Sequence, residues 1–258
     1  MTPAMRERWI VKAGSNAVCT GGPLLLRDWM RQVETLVRRR RVQVVWVTSG
    51  AIATAAERVR WTRRRRTLAD KQALSAVGQP LLMDVYNLAL QAVGLVGAQI
   101  LLGYDDLRHP VRCRNFRNTI DTLLSWGMIP ILNENDALST EEITFGDNDS
   151  LSARVAAAVG ASRLVILTDV DGLHDRDPGR HPDAARVHRL EKVTPAWLKR
   201  AGGTGSGRGT GGMLSKLQAA RFAHGHGIET WLARGDEPRV LLRIASGESI
   251  GTRIGGRR

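Results

Sequence analysis

The sequence predicts an α/β protein, with a mainly parallel central sheet and helices on both of its faces. Three observations predict this. Short apolar runs of strand length alternate along the chain with amphipathic stretches of helix length. The run Val42–Val47 is apolar almost throughout, as a strand covered on both faces is. Polar and glycine-containing clusters follow directly on several of these runs, which is where open α/β sheets bind ligands. With 258 residues and 43% hydrophobic composition, the chain is long enough for one layered domain with a substantial core.

Trp9-Ile10-Val11 reads as the first strand. From Leu24 to Arg41 a helix is expected, because Leu26, Trp29, Met30, Val33, Leu36 and Val37 recur on one face. The strand Val42–Val47 follows. A helical run extends from Lys71 to Ala92, then a strand at Val96–Leu102, a helix at Asn115–Trp126 and a strand at Met128–Leu132. Ser150–Val159 is helical and Leu164–Leu167 a strand. Gly212–His226 is a helix and Ile228–Ala233 a strand. Strands separated by helices imply right-handed crossovers and parallel pairing. The glycine-rich stretch from Gly202 to Gly212 reads as a loop running straight into its helix.

The net charge of +13 invites a nucleic-acid reading. Of the 38 basic residues, however, only Lys12, Lys71, Lys192, Lys199 and Lys216 are lysine; the others are arginines scattered through every segment. A nucleic-acid binder would gather basic residues on one face with aromatics between them. Here aromatics are 5% of the chain and the tryptophans fall mainly on apolar stretches. Arg38–Arg41, at a helix end, and Arg63–Arg66 read as solvated surface charge. In a chain so biased toward arginine, a retained lysine marks a place where a compact ammonium is required. No apolar run approaches the ~20 residues of a membrane span. The N-terminus shows no signal-peptide core, and Cys19 and Cys113 form no disulfide framework, so a reducing cytoplasm is expected.

Five motifs carry chemistry. Lys12-Ala13-Gly14-Ser15 ends the first strand and places a cation beside backbone that an anion can approach. Thr48-Ser49-Gly50-Ala51 follows the second strand and fits either a helix cap or an anion site. Asn133-Glu134-Asn135-Asp136 follows a strand and leads on to Gly146-Asp147-Asn148-Asp149-Ser150. An Asx turn with a helix cap explains part of that cluster, and calcium-loop spacing is missing. Thr168-Asp169-Val170-Asp171-Gly172 follows another strand and fits a turn or a nucleotide loop. Finally, Gly207 to Lys216 offers glycine N–H groups and a helix N-terminus to phosphates. Its Gly-x-Gly-x-x-Gly spacing is not a dinucleotide fingerprint, because no strand immediately precedes it. The six histidines form no cluster, and no nucleophile arrangement is evident.

Taken in order, the sequence segments Val-Lys-x-Gly-Ser, Val-Thr-Ser-Gly-Ala-Ile-Ala, Lys-Gln-Ala-Leu-Ser-Ala-Val-Gly-Gln, Pro-Ile-Leu-Asn-Glu-Asn-Asp, Phe-Gly-Asp-Asn-Asp-Ser-Leu-Ser-Ala, Leu-Thr-Asp-Val-Asp-Gly-Leu and Gly-Thr-Gly-Gly-Met-Leu-Ser-Lys resemble the glutamate 5-kinase family. The likeness runs from Trp9 to about Ile254. The resemblance implies a three-layer α/β/α sandwich of the amino-acid kinase fold, as one domain over 1–258. Its N-terminal half, to about 160, would take the amino acid, and its C-terminal half, from about 161, would take ATP. It implies phosphorylation of the γ-carboxylate of L-glutamate by ATP with Mg²⁺, the first step of proline synthesis. Lys12 and Lys216 would act on the phosphates, with Asp149 holding both. Ser49, Gly50, Asp136 and Asn148 would bind glutamate. Thr168, Asp169, Thr210, Gly211, Gly212, Met213, Leu214, Ser215 and Lys216 would bind the nucleotide together with Lys12. No dedicated protein cage for a metal is visible. A homodimer or tetramer and inhibition by L-proline are also implied. Many members add a C-terminal domain; this chain is expected to hold the kinase domain alone. Asn16 and the segment from Thr54 to Arg66 depart from the usual pattern. Acetylglutamate, aspartate and uridylate kinases on the same fold are the competing enzymes. Against the first, a carboxylate at Asp136 suits a free α-ammonium, which an N-acetylated acid lacks.

Overall fold

The computed structural model describes residues 7–62, 65–138, 148–202 and 212–256. In chain order the elements are β1 (Arg8–Ala13), α1 (Ser15–Arg39), β2 (Gln43–Val47), α2 (Ala51–Arg58), α3 (Leu68–Gln91), β3 (Gly97–Leu102), α4 (Pro110–Ser125), β4 (Ile129–Glu134), α5 (Asn148–Ala158), β5 (Arg163–Thr168), β6 (Arg189–Leu190), α6 (Pro195–Gly202), α7 (Met213–Gly225), β7 (Glu229–Arg234), α8 (Val240–Ala245) and β8 (Thr252–Ile254). The strands form one sheet in the order β3-β4-β2-β1-β5-β7-β8-β6. Every pairing is parallel except β7 with β8.

The alternation of side chains along each strand builds two cores. Trp9, Val11, Val44, Trp46, Ile129, Ile131, Val165 and Leu167 pack on one face with residues of α1, α3 and α8. Ile10, Val45, Val47, Leu132, Leu164 and Ile166 pack on the other with α4, α5 and α7. The inner strands are therefore apolar along their middles on both faces, with polar residues near their ends, and the three-layer α/β/α architecture expected from the sequence is the one observed.

Local signals account for the element ends. α1 is broken at Gly22, whose φ of 60° is non-helical, and Pro23 restarts it with the ring geometry that suits a first turn. That break is why the periodicity becomes readable only from Leu24. α3 opens on a capping box, Thr67 and Asp70 each bonding the other's backbone N–H. α4 has Pro110 at its start.

Candidate active site

β1, β2, β4 and β5 are consecutive parallel neighbours, so their carboxyl ends emerge along one edge of the sheet. β1 lies at the point where chain order reverses, with β2 on one side and β5 on the other. Ligands bind at such a crevice in open α/β sheets. Lys12 sits near the end of β1, in register with Val47 of β2 and Ile166 of β5.

Three charges are buried there together. Lys12 is 3% exposed, Lys216 in the first turn of α7 is 6% exposed, and Asp149 in the first turn of α5 is 0% exposed. Lys12 Nζ lies 2.6 Å from Asp149 Oδ1, and Lys216 Nζ donates to Asp149 Oδ2 at 3.1 Å. Ser215 Oγ lies 3.2 Å from the same Oδ2 and 2.7 Å from the Gly212 carbonyl oxygen. The helix start also favours a carboxylate at Asp149. Two ammonium groups share one carboxylate away from water, an arrangement that can take up an anion.

On the β2 and β4 side, a chain of amides leads inward from Asn148. Asn148 Nδ2 donates to the Thr48 carbonyl oxygen at 2.5 Å and to Asn133 Oδ1 at 2.6 Å, and lies 3.0 Å from Ser49 Oγ. Asn133 Oδ1 also accepts from the Glu134 N–H at 2.9 Å, and Asn133 Nδ2 donates to Gln79 Oε1 at 2.7 Å. Gln79 Nε2 is buried and has no hydrogen-bond partner among the described residues. Such an orphan donor costs about 1–3 kcal/mol. One helical turn earlier, Ser75 Oγ donates to Asp136 Oδ2 at 3.1 Å. Burial raises the Asp136 pKa above 3.8, while the Ser75 hydrogen bond works against the rise. Further along α3, the Tyr86 hydroxyl lies 3.0 Å from Thr48 Oγ1 and accepts from Trp46 Nε1 at 2.9 Å; burial pushes its pKa up to about 12.

Two glycines allow this packing. Gly50 precedes α2 with φ of 109°, a left-handed value that other residues rarely adopt. A Cβ on Gly78 would fall 1.8 Å from the Ala51 carbonyl oxygen, so α3 lies directly against the start of α2.

On the β5 side, Thr168 is buried at the strand end and its Oγ1 donates to Asp169 Oδ1 at 3.0 Å. Asn16 Nδ2 donates to Asp169 Oδ2 at 3.1 Å, linking the start of α1 to this strand end. Burial alone would raise the Asp169 pKa, but the Asn16 and Thr168 hydrogen bonds, with the Lys216 charge behind them, bring it below 3.8. Gly212, Met213, Leu214 and Ser215 lie at the start of α7 beside Lys216. Thr210 and Gly211 lie outside the described residues, as does Asp147.

The structure thus brings Lys12, Asp149 and Lys216 into contact, joins Ser49 to Asn148, places Asp136 on the same edge, and sets Thr168 and Asp169 across β1 from them. The motif reading had given no roles to Ser75, Gln79, Asn133 or Asn16. Ser75 and Gln79 carried a signal, being polar residues four apart on a long helix, but only tertiary structure shows that they face inward.

Comparison with other proteins agrees with this geometry. The model of the amino acid kinase family matches residues 7–234. The glutamate 5-kinase of Chromobacterium violaceum is 45% identical over 252 residues, covering 96% of this chain and 68% of that protein. The glutamate 5-kinase of Deinococcus radiodurans is 44% identical over 251 residues, covering 96% of this chain and 69% of that protein. Among solved structures, the UMP kinase of Bacillus anthracis superposes with a TM-score of 0.64 at 16% identity, covering 98% of this chain and 97% of that one. At that identity the likeness shows the shared fold.

Proposed function

We propose, from the premise that the chain belongs to the amino acid kinase family and to its glutamate 5-kinase branch, that the buried Lys12–Asp149–Lys216 cluster is the phosphoryl-transfer centre. The branch reaction converts L-glutamate and ATP to L-glutamyl 5-phosphate and ADP, the first step of proline biosynthesis. The observation that carries the residue assignment is the single carboxylate held between two desolvated ammonium groups at the sheet's reversal point.

The chemistry asks little else of the protein. A glutamate side chain titrates near ~4.3, so the acceptor is already ionised at neutral pH and needs no general base. It needs its repulsion from ATP offset and its oxygen aimed at phosphorus. Lys12 comes from β1 and Lys216 from α7. Asp149 holds both in place before substrate arrives, so their charge is already oriented when the transition state forms. Ser49, Gly50, Asn148 and Asp136 are assigned to L-glutamate, with the Asp136 carboxylate facing its α-ammonium. Thr168, Asp169 and the segment from Thr210 to Lys216 are assigned to ATP, with Asn16 bracing Asp169. This divides the single domain into an acceptor half and a nucleotide half.

Mg²⁺ belongs to the same reading. Among the described residues no group of three or more His, Cys, Asp or Glu could hold a metal ion, and Lys12 and Lys216 engage both oxygens of Asp149. Those residues fit an ion carried chiefly by the nucleotide phosphates, where it supplies charge neutralisation. A cytoplasmic location, a homo-oligomer and inhibition by L-proline are proposed alongside. Exposed Leu88, Val96 and Leu101, on and beside the edge strand β3, support self-association. Among the described residues no helix is long and apolar enough to cross a membrane.

The test is a coupled ADP-release assay with Mg-ATP, comparing L-glutamate, N-acetyl-L-glutamate, L-aspartate and UMP, with hydroxylamine to trap acyl phosphate. Glutamate-dependent ADP release with hydroxamate formation is expected. Activity with a different acceptor alone would overturn the substrate assignment and leave the fold standing.

A further inference from the structure

We infer that Gln79 is a positioning residue for the amino-acid acceptor, bracing Asn133 and through it the side chain of Asn148. The inference rests on the assignment of Asn148 and Asp136 to L-glutamate. It starts from the polarity of the buried amide chain. An amide side chain can flip, so its direction has to be read from neighbours that cannot. Two backbone groups provide those fixed points. The Glu134 N–H can only donate, which sets Asn133 Oδ1 as an acceptor. The Thr48 carbonyl can only accept, which sets Asn148 Nδ2 as a donor. With both ends fixed, Asn133 Nδ2 points the other way and needs an acceptor, which Gln79 Oε1 supplies at 2.7 Å.

The consequence appears at Asn148. Among the described residues its side chain is engaged through Nδ2, which leaves Oδ1 toward a ligand. An amide oxygen on Asn148 and the Asp136 carboxylate, both at the carboxyl edge of the sheet, are acceptors, which suit an ammonium group. The reverse polarity would present N–H groups and suit an acyl oxygen instead. α3 holds both members of this subsite from one face, Ser75 bonding Asp136 and Gln79 bonding Asn133.

Gln79 itself is not a ligand. Its Nε2 is sealed from solvent without a partner among the described residues, although an apolar side chain of similar volume would avoid that orphan donor. Retention of the amide is explained if its other atom, Oε1, is the one required. Gln79 is 6% exposed and sits against the α2–α3 contact made by Gly78, so its position is rigidly set.

The test compares Gln79→Met, which keeps volume and removes the acceptor, with Gln79→Glu, which keeps an acceptor at the same place. In the full chain, Gln79→Met is expected to raise KM for L-glutamate about tenfold, with KM for ATP unchanged. Gln79→Glu, which keeps an acceptor oxygen, is expected to restore the glutamate KM toward that of the unsubstituted chain measured at the same pH. Thermal midpoints of both variants are measured alongside. Unchanged glutamate KM in Gln79→Met, or equal rises for glutamate and ATP, would overturn the inference. So would a Gln79→Glu variant as impaired as Gln79→Met. Lack of glutamate-dependent activity in the unsubstituted chain would instead overturn the functional reading on which the inference stands, so the two failures are distinguishable.

Discussion

Two charge clusters sit at opposite edges of the sheet, and each places a carboxylate between two cations, with Glu7 a further anion 3.7 Å from Arg163 at the amino edge. At the carboxyl edge, Lys12 and Lys216 flank Asp149. At the amino edge, Arg163 Nε lies 2.8 Å from Glu229 Oε1 and Arg253 Nη2 lies 2.5 Å from Glu229 Oε2. Trp231 Nε1 donates to Glu229 Oε1 at 2.7 Å, and the Arg163 guanidinium stacks over Trp9 at 4.3 Å. The arginine group is partly wet, with side chains 18% and 31% exposed, whereas the lysines are 4% and 7% exposed. Guanidinium groups suit partly wet, stacked ion pairs that join strands, whereas a compact ammonium suits a tight phosphate site. Under the proposed assignment the same charge pattern serves structure at one edge and chemistry at the other, and the choice of cation distinguishes them.

The largest expected effect that would sharpen this contrast is on stability. Asp149→Ala leaves two buried cations uncompensated and should lower unfolding free energy by about 3–5 kcal/mol. Glu229→Gln, in the wetter group, should cost only about 1 kcal/mol. Urea denaturation of both variants measures the difference, and equal losses would break the comparison. Next in size is the exchange of cations. Lys12→Arg and Lys216→Arg should each lower kcat by about 10²–10³-fold, as for loss of a preorganised transition-state contact. Arg163→Lys and Arg253→Lys should leave kcat near that of the unsubstituted chain.

The smallest effect concerns Asp136. Asp136→Asn should raise KM for L-glutamate by about tenfold to a hundredfold while sparing KM for ATP. Its pKa is raised by burial, so protonation on acidification removes the charge that meets the ammonium. KM for glutamate should therefore rise as pH falls through that raised value, and Asp136→Asn should lack this acid limb. Stability has the opposite sign. The folded state binds this proton more tightly than the unfolded state, so the Asp136 contribution grows as pH falls toward 3.8 and is lost as pH rises through the folded value. A pH series of KM and of denaturation midpoints checks both.

Much of the architecture was legible in the chain because the inner strands have apolar middles covered on both faces and α1 carries a clear apolar stripe. The short pieces were not. α6, α8, β6 and β8 have eight residues or fewer, and helical periodicity needs a longer window to stand out. The first turns of α1 were hidden by the break at Gly22. Within the candidate site, Lys12 and Lys216 stood out against a background of arginine. Asn133 belonged to a visible motif, but its bond to Gln79 joins residues 54 apart, and no local pattern encodes that contact. Asn16 looked like a departure from the family; in the structure it is a hydrogen-bond donor to Asp169.

The seam between the two halves of the sheet has a dynamic consequence. β1 is hydrogen-bonded to β2 on one side and β5 on the other, over five registered pairs each. A hinge between the two proposed substrate halves would have to strain one of these central ladders. Under the proposed assignment Lys12 is therefore fixed to a strand held on both sides, and its ammonium keeps one position relative to both halves of the sheet.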